Sequence, residues 1–233
     1  MSQELIQFLD PQLSYEGVVA IGGPLTTTNL LRAYCNGIFP WPVNERILPW
    51  CCPEERAILE FTDLHVPRRL ERLRRQSDLH ITLDQAFAQV ITRCATVKRN
   101  GESGTWITPG MIDAYVEFHK EGHAHSVEVW DDSELVGGLY GVSACGTFAG
   151  ESMFTLRPNA SKLALLFLID HLKKQGLDWI DIQQLTPHME ALGAKEIPRK
   201  EFLEKLFETQ RRKLVLFPYQ ASPSLVHLSL PEH

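Results

Sequence analysis

Two aromatic segments bracketed by proline, Ile38-Phe39-Pro40-Trp41-Pro42 and Pro49-Trp50-Cys51-Cys52-Pro53, limit what the start of this chain can become. Proline lacks the N–H donor and restricts the residue before it, so neither segment can be regular helix. The residues ahead of them read more simply. Val18–Ile21 is a short apolar strand, Gly22-Gly23-Pro24 breaks it, and Thr26, Thr27 or Thr28 caps a helix through Leu30, Leu31 and Tyr34. Asn36-Gly37 supplies a left-handed stop. Residues 1–62 are expected to form a small N-terminal α/β domain, and residues 63–233 a second domain.

In the second part the patterns are more regular. Residues 80–84 read as a strand, and Asp84 caps a helix with Phe87, Val90, Ile91 and Cys94 at i, i+3, i+4 and i+7. A polar loop over 98–103 leads to Gly104-Thr105-Trp106-Ile107. Thr108-Pro109 then opens a helix with Met111, Ile112, Tyr115 and Phe118 inward and Gly122 at its end. Strands follow over 124–130, 135–142 and 147–154, the first two joined by the turn Asp131-Asp132-Ser133. Asn159 or Ser161 caps an apolar helix over 163–174, Gly176 stops it, and 179–185 is another strand. Pro198 precedes an amphipathic helix carrying Phe202, Leu203 and Leu206, and 214–217 reads as the last strand. This order belongs to the α/β (α+β) class. It resembles the GNAT acyltransferase fold, in which a splayed mixed sheet admits an acyl donor on one side and an amine on the other.

With 233 residues, 44% hydrophobic and 22% charged, the composition is globular and disfavours disorder and coiled coil. No apolar run approaches the ~20 residues that span a bilayer, and Met1-Ser-Gln-Glu-Leu5 is not followed by a leader-like apolar stretch. A soluble, cytoplasmic protein that meets no membrane is expected. Five cysteines without a C-x-x-C pair argue against a disulfide framework and a structural zinc. A net charge of -6 points away from nucleic acid, yet Arg68, Arg69, Arg72, Arg74 and Arg75 crowd one short segment against Glu71. On a helix beginning after Pro67, Arg68, Arg72 and Arg75 share a face while Leu70 and Leu73 turn inward. Such a face is either simply solvated or matched to phosphates.

Alternation over 179–185 puts Asp181 and Gln183 on one side of a strand, either satisfied by neighbouring backbone or engaged in chemistry. Gly150-Glu151-Ser152 ends a strand with a carboxylate beside a glycine, an arrangement that suits an ammonium or guanidinium group or is merely solvated. His123 and His125 alternate on a strand, but no third ligand is placed by spacing, so the expectation is no metal. Trp41 and Trp106 lie in loops where an indole can stack on a base or fill a loop core. An acetyl-CoA-dependent N-acetyltransferase would need a glycine-rich pyrophosphate turn, and Met153-Phe-Thr-Leu-Arg-Pro-Asn-Ala160 has no glycine. A non-catalytic tRNA-binding module is the other alternative.

Taken together, several long strings resemble the leucyl/phenylalanyl-tRNA–protein transferase family in order and spacing. They are Gly37-Ile-Phe-Pro-Trp41, Gly104-Thr-Trp-Ile107, Gly122-His-Ala-His-Ser-Val-Glu-Val-Trp130, Val136-Gly-Gly-Leu-Tyr140, Gly150-Glu-Ser-Met-Phe154, Asn159-Ala-Ser-Lys162, Ile180-Asp-Ile-Gln183 and Leu192-Gly-Ala-Lys-Glu-Ile-Pro-Arg199. The resemblance implies a monomeric bacterial enzyme without cofactor, with a GNAT-like catalytic domain over 63–233. Its expected partners are aminoacyl-tRNA charged with Leu or Phe, with Met a third candidate donor, and proteins bearing N-terminal Arg or Lys. Transfer to these would create a degradation signal. The resemblance gives Trp41 and Trp106 the terminal adenosine, and Leu139, Phe148, Leu165, Leu168, Leu172 and Ile180 the donor side chain. Gly150 and Glu151 would lie beside donor and acceptor, Asp181 and Gln183 would serve the reacting amine, and the five arginines would meet the acceptor stem. In the mechanism this suggests, the Gln183 carbonyl orients the amine while Asp181 holds the Gln183 amide. The chain departs from the family pattern at Pro24, at Pro49-Trp50-Cys51-Cys52-Pro53, and at Leu168 and Leu172, where some relatives carry phenylalanine.

Overall fold

The computed structural model describes residues 4–14, 16–97 and 106–218. Gly104 and Thr105 of the expected Trp106 loop, and the polar loop before them, lie outside these. The proline-bracketed segments form two short strands, β2 (Phe39–Pro40) and β3 (Pro49–Cys51), which pair with each other and, through β3, with β1 (Val18–Ile21). Pro40 ends its strand and Pro49 begins its own, positions where a missing donor is tolerated. Trp50 is fully buried, and its indole N–H donates to the Gly22 carbonyl at 2.9 Å. Helix α1 (Thr27–Tyr34) is capped by the Thr26 hydroxyl, which accepts from the Asn29 N–H.

The second sheet has seven strands in the order β10 (Lys195–Pro198), β4 (Glu55–Glu60), β9 (Trp179–Gln183), β8 (Thr147–Thr155), β7 (Glu134–Ala144), β6 (Ala124–Asp131) and β5 (His80–Leu83). It is mixed, as expected. Neighbours are antiparallel except β8 and β9, which run parallel and pair at a single position, Ala149↔Asp181. The helices are α2 (Arg68–Gln76), α3 (Phe87–Thr96), α4 (Pro109–Lys120), α5 (Ala160–Lys174), the short α6 (Pro187–Glu190) and α7 (Arg199–Arg211). Strand alternation divides the core in two. Tyr140 joins a cluster with residues of α1, α3, α4 and α7, whereas its neighbour Leu139 joins one built on α5.

Several elements differ from the sequence reading. Strand β4 lies within residues 1–62, yet it pairs with β9 and β10 in the large sheet. Its Ala57-Ile58-Leu59 run is short and flanked by charge, which hides the pattern. Residues 214–217 are not a strand: Leu216 is buried and the Phe217 ring stacks on His125 at 3.6 Å, so the segment docks by side chains rather than by backbone pairing. Asp84 does not cap α3. It adopts φ 58°, its carboxylate bonds His125 Nδ1 and the Ser126 N–H, and the free donors ahead of α3 go to Glu128 instead. His125 also contacts the Gly122 carbonyl through Nε2, so both its ring nitrogens are occupied by protein.

Cys35 and Cys145 form a disulfide, against the expectation from cysteine count. They are 110 residues apart, so no spacing pattern could reveal them. A loop of that length gives the chain-entropy stabilisation its largest scope, on the order of 4–5 kcal/mol in the ideal case.

Packing is close where β7 meets β8. A Cβ on Gly141 would stand 2.4 Å from the Ala149 carbonyl oxygen and 2.5 Å from the Phe148 ring. Gly141→Ala is therefore expected to lower unfolding free energy by roughly 1–3 kcal/mol in urea titrations; an unchanged midpoint would show that this contact gives way freely.

Candidate active site

Two β-bulges shape the junction of β8 and β9. Between β7 and β8 the register steps from Tyr140↔Ser152 to Gly141↔Gly150, leaving Glu151 as the extra residue. Between β4 and β9 it steps from Ile58↔Asp181 to Ala57↔Gln183, leaving Ile182 as the extra one. Bulges re-aim side chains and bend the strand that carries them. The expected alternation of Asp181 and Gln183 is thus interrupted, and Gln183 takes a left-handed φ of 56°. The two bulged segments face each other across the single Ala149↔Asp181 bridge, and Gln183 Nε2 donates to Glu151 Oε1 at 2.9 Å.

Arg56 of β4 is the residue that sequence reasoning missed. It is only 1% exposed, and its Nε and Nη2 donate to Asp181 Oδ1 and Oδ2 at 2.8 and 2.7 Å. The guanidinium carbon lies 4.5 Å from the ring centres of both Phe39 and Phe202. Burial alone would lower the Arg56 pKa, but the Asp181 carboxylate outweighs it and raises the value. Asp181 Oδ1 also accepts from the Gln183 backbone N–H at 3.0 Å. The expected contact between Asp181 and the Gln183 side-chain amide is replaced by one to its main chain, because the bulge turns that N–H toward the carboxylate. An arginine beside an apolar Ala-Ile-Leu run is the one signal by which sequence could have found the pair.

Glu151 is half-buried on a partly exposed strip, Gly150 to Met153. Its Oε1 accepts from the Tyr34 hydroxyl at 2.8 Å as well as from Gln183, and the Tyr34 and Tyr115 hydroxyls are 2.5 Å apart. Burial, first, and the nearby Asp181 push the Glu151 carboxyl up to about 8, against the opposing pull of Tyr34, Arg56 and Gln183. Burial, first, holds both phenols well above their usual values, and Glu151 adds to the rise where it ionises. They therefore stay protonated, and with Tyr34 donating to Glu151, Tyr115 donates to Tyr34. Both tyrosines read in the sequence as helix core residues only.

The remaining expected residues fall into separate groups. Trp41 and Trp106 are half-buried and stack on each other, 5.5 Å between ring centres and 8° from coplanar. Leu139, Phe148, Leu165, Leu168, Leu172 and Ile180 share one apolar cluster, each at most 3% exposed. The arginines of α2 divide: Arg74 is drawn to Asp170 and Arg75 pairs with Glu71, whereas Arg68, Arg69 and Arg72 line a groove of about 980 Å³ with Asn159, Lys162 and His188.

Comparison with known proteins bears on this geometry. A family model described as leucyl/phenylalanyl-tRNA protein transferase matches residues 58–207, and its N-terminal domain model matches 23–54. A leucyl/phenylalanyl-tRNA–protein transferase of Pseudoalteromonas atlantica is 48% identical over 199 residues, covering 85% of this chain and 84% of its own length. That of Oleidesulfovibrio alaskensis is 46% identical over 217 residues, 91% of this chain and 88% of its own, and that of Anaeromyxobacter dehalogenans is 46% identical over 200 residues, 85% and 86%. The chain belongs to the leucyl/phenylalanyl-tRNA protein transferase family. The two transferase matches part between residues 54 and 58, across the first half of β4.

The carboxyl at the centre of this transferase makes stability depend on pH. Between its ordinary 4.5 and about 8, folded Glu151 keeps a proton that the unfolded chain has released. Its contribution to stability therefore declines as pH rises through that window and levels off above it. Glu151→Gln removes the decline, so the Tm of the variant relative to the natural protein should rise steadily from pH 5 to pH 8. Parallel Tm curves for the two would refute the assignment.

Proposed function

We propose that the chain transfers a leucyl or phenylalanyl group, with methionyl a third candidate, from its aminoacyl-tRNA to the N-terminal Arg or Lys of a protein. The new peptide bond creates a degradation signal. The observation that carries this reading is the Glu151–Gln183 hydrogen bond across the only β8–β9 bridge, in a chain of this family. It leaves Gln183 Oε1 and Glu151 Oε2 without a hydrogen bond among the described residues, one a neutral acceptor and one a latent anion.

Each group has a part. The aminoacyl ester is already activated, so catalysis is mainly a matter of position and needs no cofactor or metal. Gln183 Oε1 accepts a hydrogen bond from the attacking α-amine, whose pKa of ~8 leaves part of it unprotonated near neutrality. Arg56 and Asp181 fix the Gln183 backbone and so the aim of its side chain; already neutralised by Arg56, Asp181 acts through Gln183. The C–N bond forms, the bond to the ribose oxygen breaks, and the amine proton reaches that oxygen through the neighbouring ribose hydroxyl. Glu151 is neutral when alone. An arriving ammonium or guanidinium group favours its charged form, so a basic acceptor residue gains an ion pair that an apolar one cannot.

Trp41 and Trp106 offer an indole face to the terminal adenine. The Leu139, Phe148, Leu165, Leu168, Leu172 and Ile180 cluster takes the donor side chain, and Gly150 lets it approach the backbone. Arg68, Arg69 and Arg72 bind phosphates of the acceptor stem, with Arg74 and Arg75 adding to the local field. The single β8–β9 bridge supports a GNAT-like splay. The enzyme works as a cytoplasmic monomer; of the N-terminal unit expected over 1–62, β4 belongs instead with the sheet of the catalytic unit that follows. None of the described helices is long and apolar enough to cross a membrane.

Labelled Leu from charged tRNA should pass to a peptide beginning with Arg and not to one beginning with Ala; equal labelling, or none, sinks the reading. Gln183→Ala should slow single-turnover transfer by roughly tenfold to a hundredfold through misplacement of the amine, and a normal rate would reduce Gln183 to scaffolding. Replacing Arg68 and Arg72 with Ala should weaken tRNA binding and lower the slope of log K against log salt by about one per lost phosphate contact.

A further inference from the structure

The Cys35–Cys145 disulfide connects the same two elements as the hydrogen bond at the heart of the site. Cys35 ends α1 immediately after Tyr34, and Cys145 stands at the tip of the β7–β8 hairpin that leads into Gly150-Glu151. The Tyr34–Glu151 hydrogen bond and the Cys35–Cys145 bond therefore brace α1 against β8 in parallel, one within the site and one outside it.

Turn chemistry does not account for the cysteine at that tip. Ala144↔Thr147 closes a two-residue loop in which Cys145 has φ 52° and Gly146 φ 78°. Such loops favour Asn, Asp or Gly at the first position, where a left-handed backbone is tolerated. A cysteine there is disfavoured as a turn former, and its sulfur makes a covalent bond instead. Cys145 is exposed and Cys35 half-buried, so an external thiol can reach the bond. By contrast Cys52 and Cys94 are buried, and burial raises the thiol pKa of Cys51 and Cys52, which makes both poor nucleophiles. Translating compartments hold thiols largely reduced, and disulfides found there are characteristically transient and sensing.

We propose that Cys35–Cys145 is a reversible redox modification site that sets how firmly Tyr34 holds Glu151, and through it the engagement of the basic acceptor. The effect on transfer rests on the transferase reading above. A dithiol is the reductant. Its thiolate attacks the exposed Cys145 sulfur, the S–S bond breaks, and Cys35 leaves as a thiolate that takes a proton. The second thiol of the reductant then displaces Cys145, so the dithiol becomes a disulfide and the protein gains two thiols and two electrons. Reduction removes the covalent tie between the end of α1 and the hairpin, leaving the Tyr34–Glu151 hydrogen bond and the apolar packing of α1 on β7 to hold them together.

The test uses the full chain. Thiol titration in denaturant should count three free cysteines before treatment with dithiothreitol and five after it. Reduction should raise the KM for an Arg-initiated peptide about fivefold or more, with reoxidation restoring it. Cys145→Ser and Cys35→Ser should each behave as the reduced enzyme and ignore redox treatment, and Tyr34→Phe should abolish the difference between the two states. Hydrogen exchange at the end of α1 should quicken on reduction, a readout that needs no activity. Five thiols at the outset, the same KM in both states, or unchanged exchange would overturn the proposal. If transfer were absent in both states the transferase reading would fall, and the exchange result alone would then decide the brace.

Discussion

Arg56 and Asp181 carry opposite charges into a part of the protein that water barely reaches. Isolated there, either ion would face a desolvation penalty of several kcal/mol, so each depends on the other being in place. The pair draws together segments distant in sequence. Arg56 comes from β4 and Asp181 from β9; the rings against the guanidinium come from β2, in the small sheet, and from α7 near the end of the described chain. The Asp181 carboxylate then reaches the Gln183 backbone, and Gln183 reaches Glu151. One buried contact thereby aligns two sheets, a helix and both candidate catalytic side chains.

The charge of the molecule is divided in a way its sum conceals. The α2 arginines that pair with no carboxylate among the described residues line a groove with Lys162, while the acidic groups of β8 and β9 sit among buried tyrosines and an arginine. Burial and the neighbouring Asp181 keep Glu151 protonated near neutrality, so the site has no standing negative charge at Glu151 that would repel the phosphates of a donor. In the proposed function that charge develops only with a cation at hand, so that one site serves a polyanionic donor and a cationic acceptor.

Local patterns were legible in the sequence wherever a segment met one environment. Phe87, Val90, Ile91 and Cys94 share a helix face and are all buried, and Thr26 and Thr108 cap their helices. The Gly150-Glu151 and Asp181, Gln183 strings stood out because polar residues interrupt apolar strands, and the fold brings them together. What escaped reading depends on partners far along the chain. β4 is recognisable only once β9 and β10 flank it, Tyr34 and Tyr115 look like any inward aromatic until their hydroxyls meet, and the bulges appear only when two strands are laid in register. The disulfide is the extreme case, since neither cysteine has a local pattern around it.

Glu151 and Ile182 each occupy a place that the opposing strand does not match. Side chains alternate across a sheet, so a shift of one position moves every following residue to the other face. Residue number along β8 and β9 is therefore as binding on this site as residue type. Loss of a single amino acid on either strand could restore regular pairing and still destroy the arrangement, with every chemical group of the site retained. In a lineage of such chains, insertions and deletions in these two strands would be more harmful than many substitutions, even though strand pairing itself would gain from a deletion.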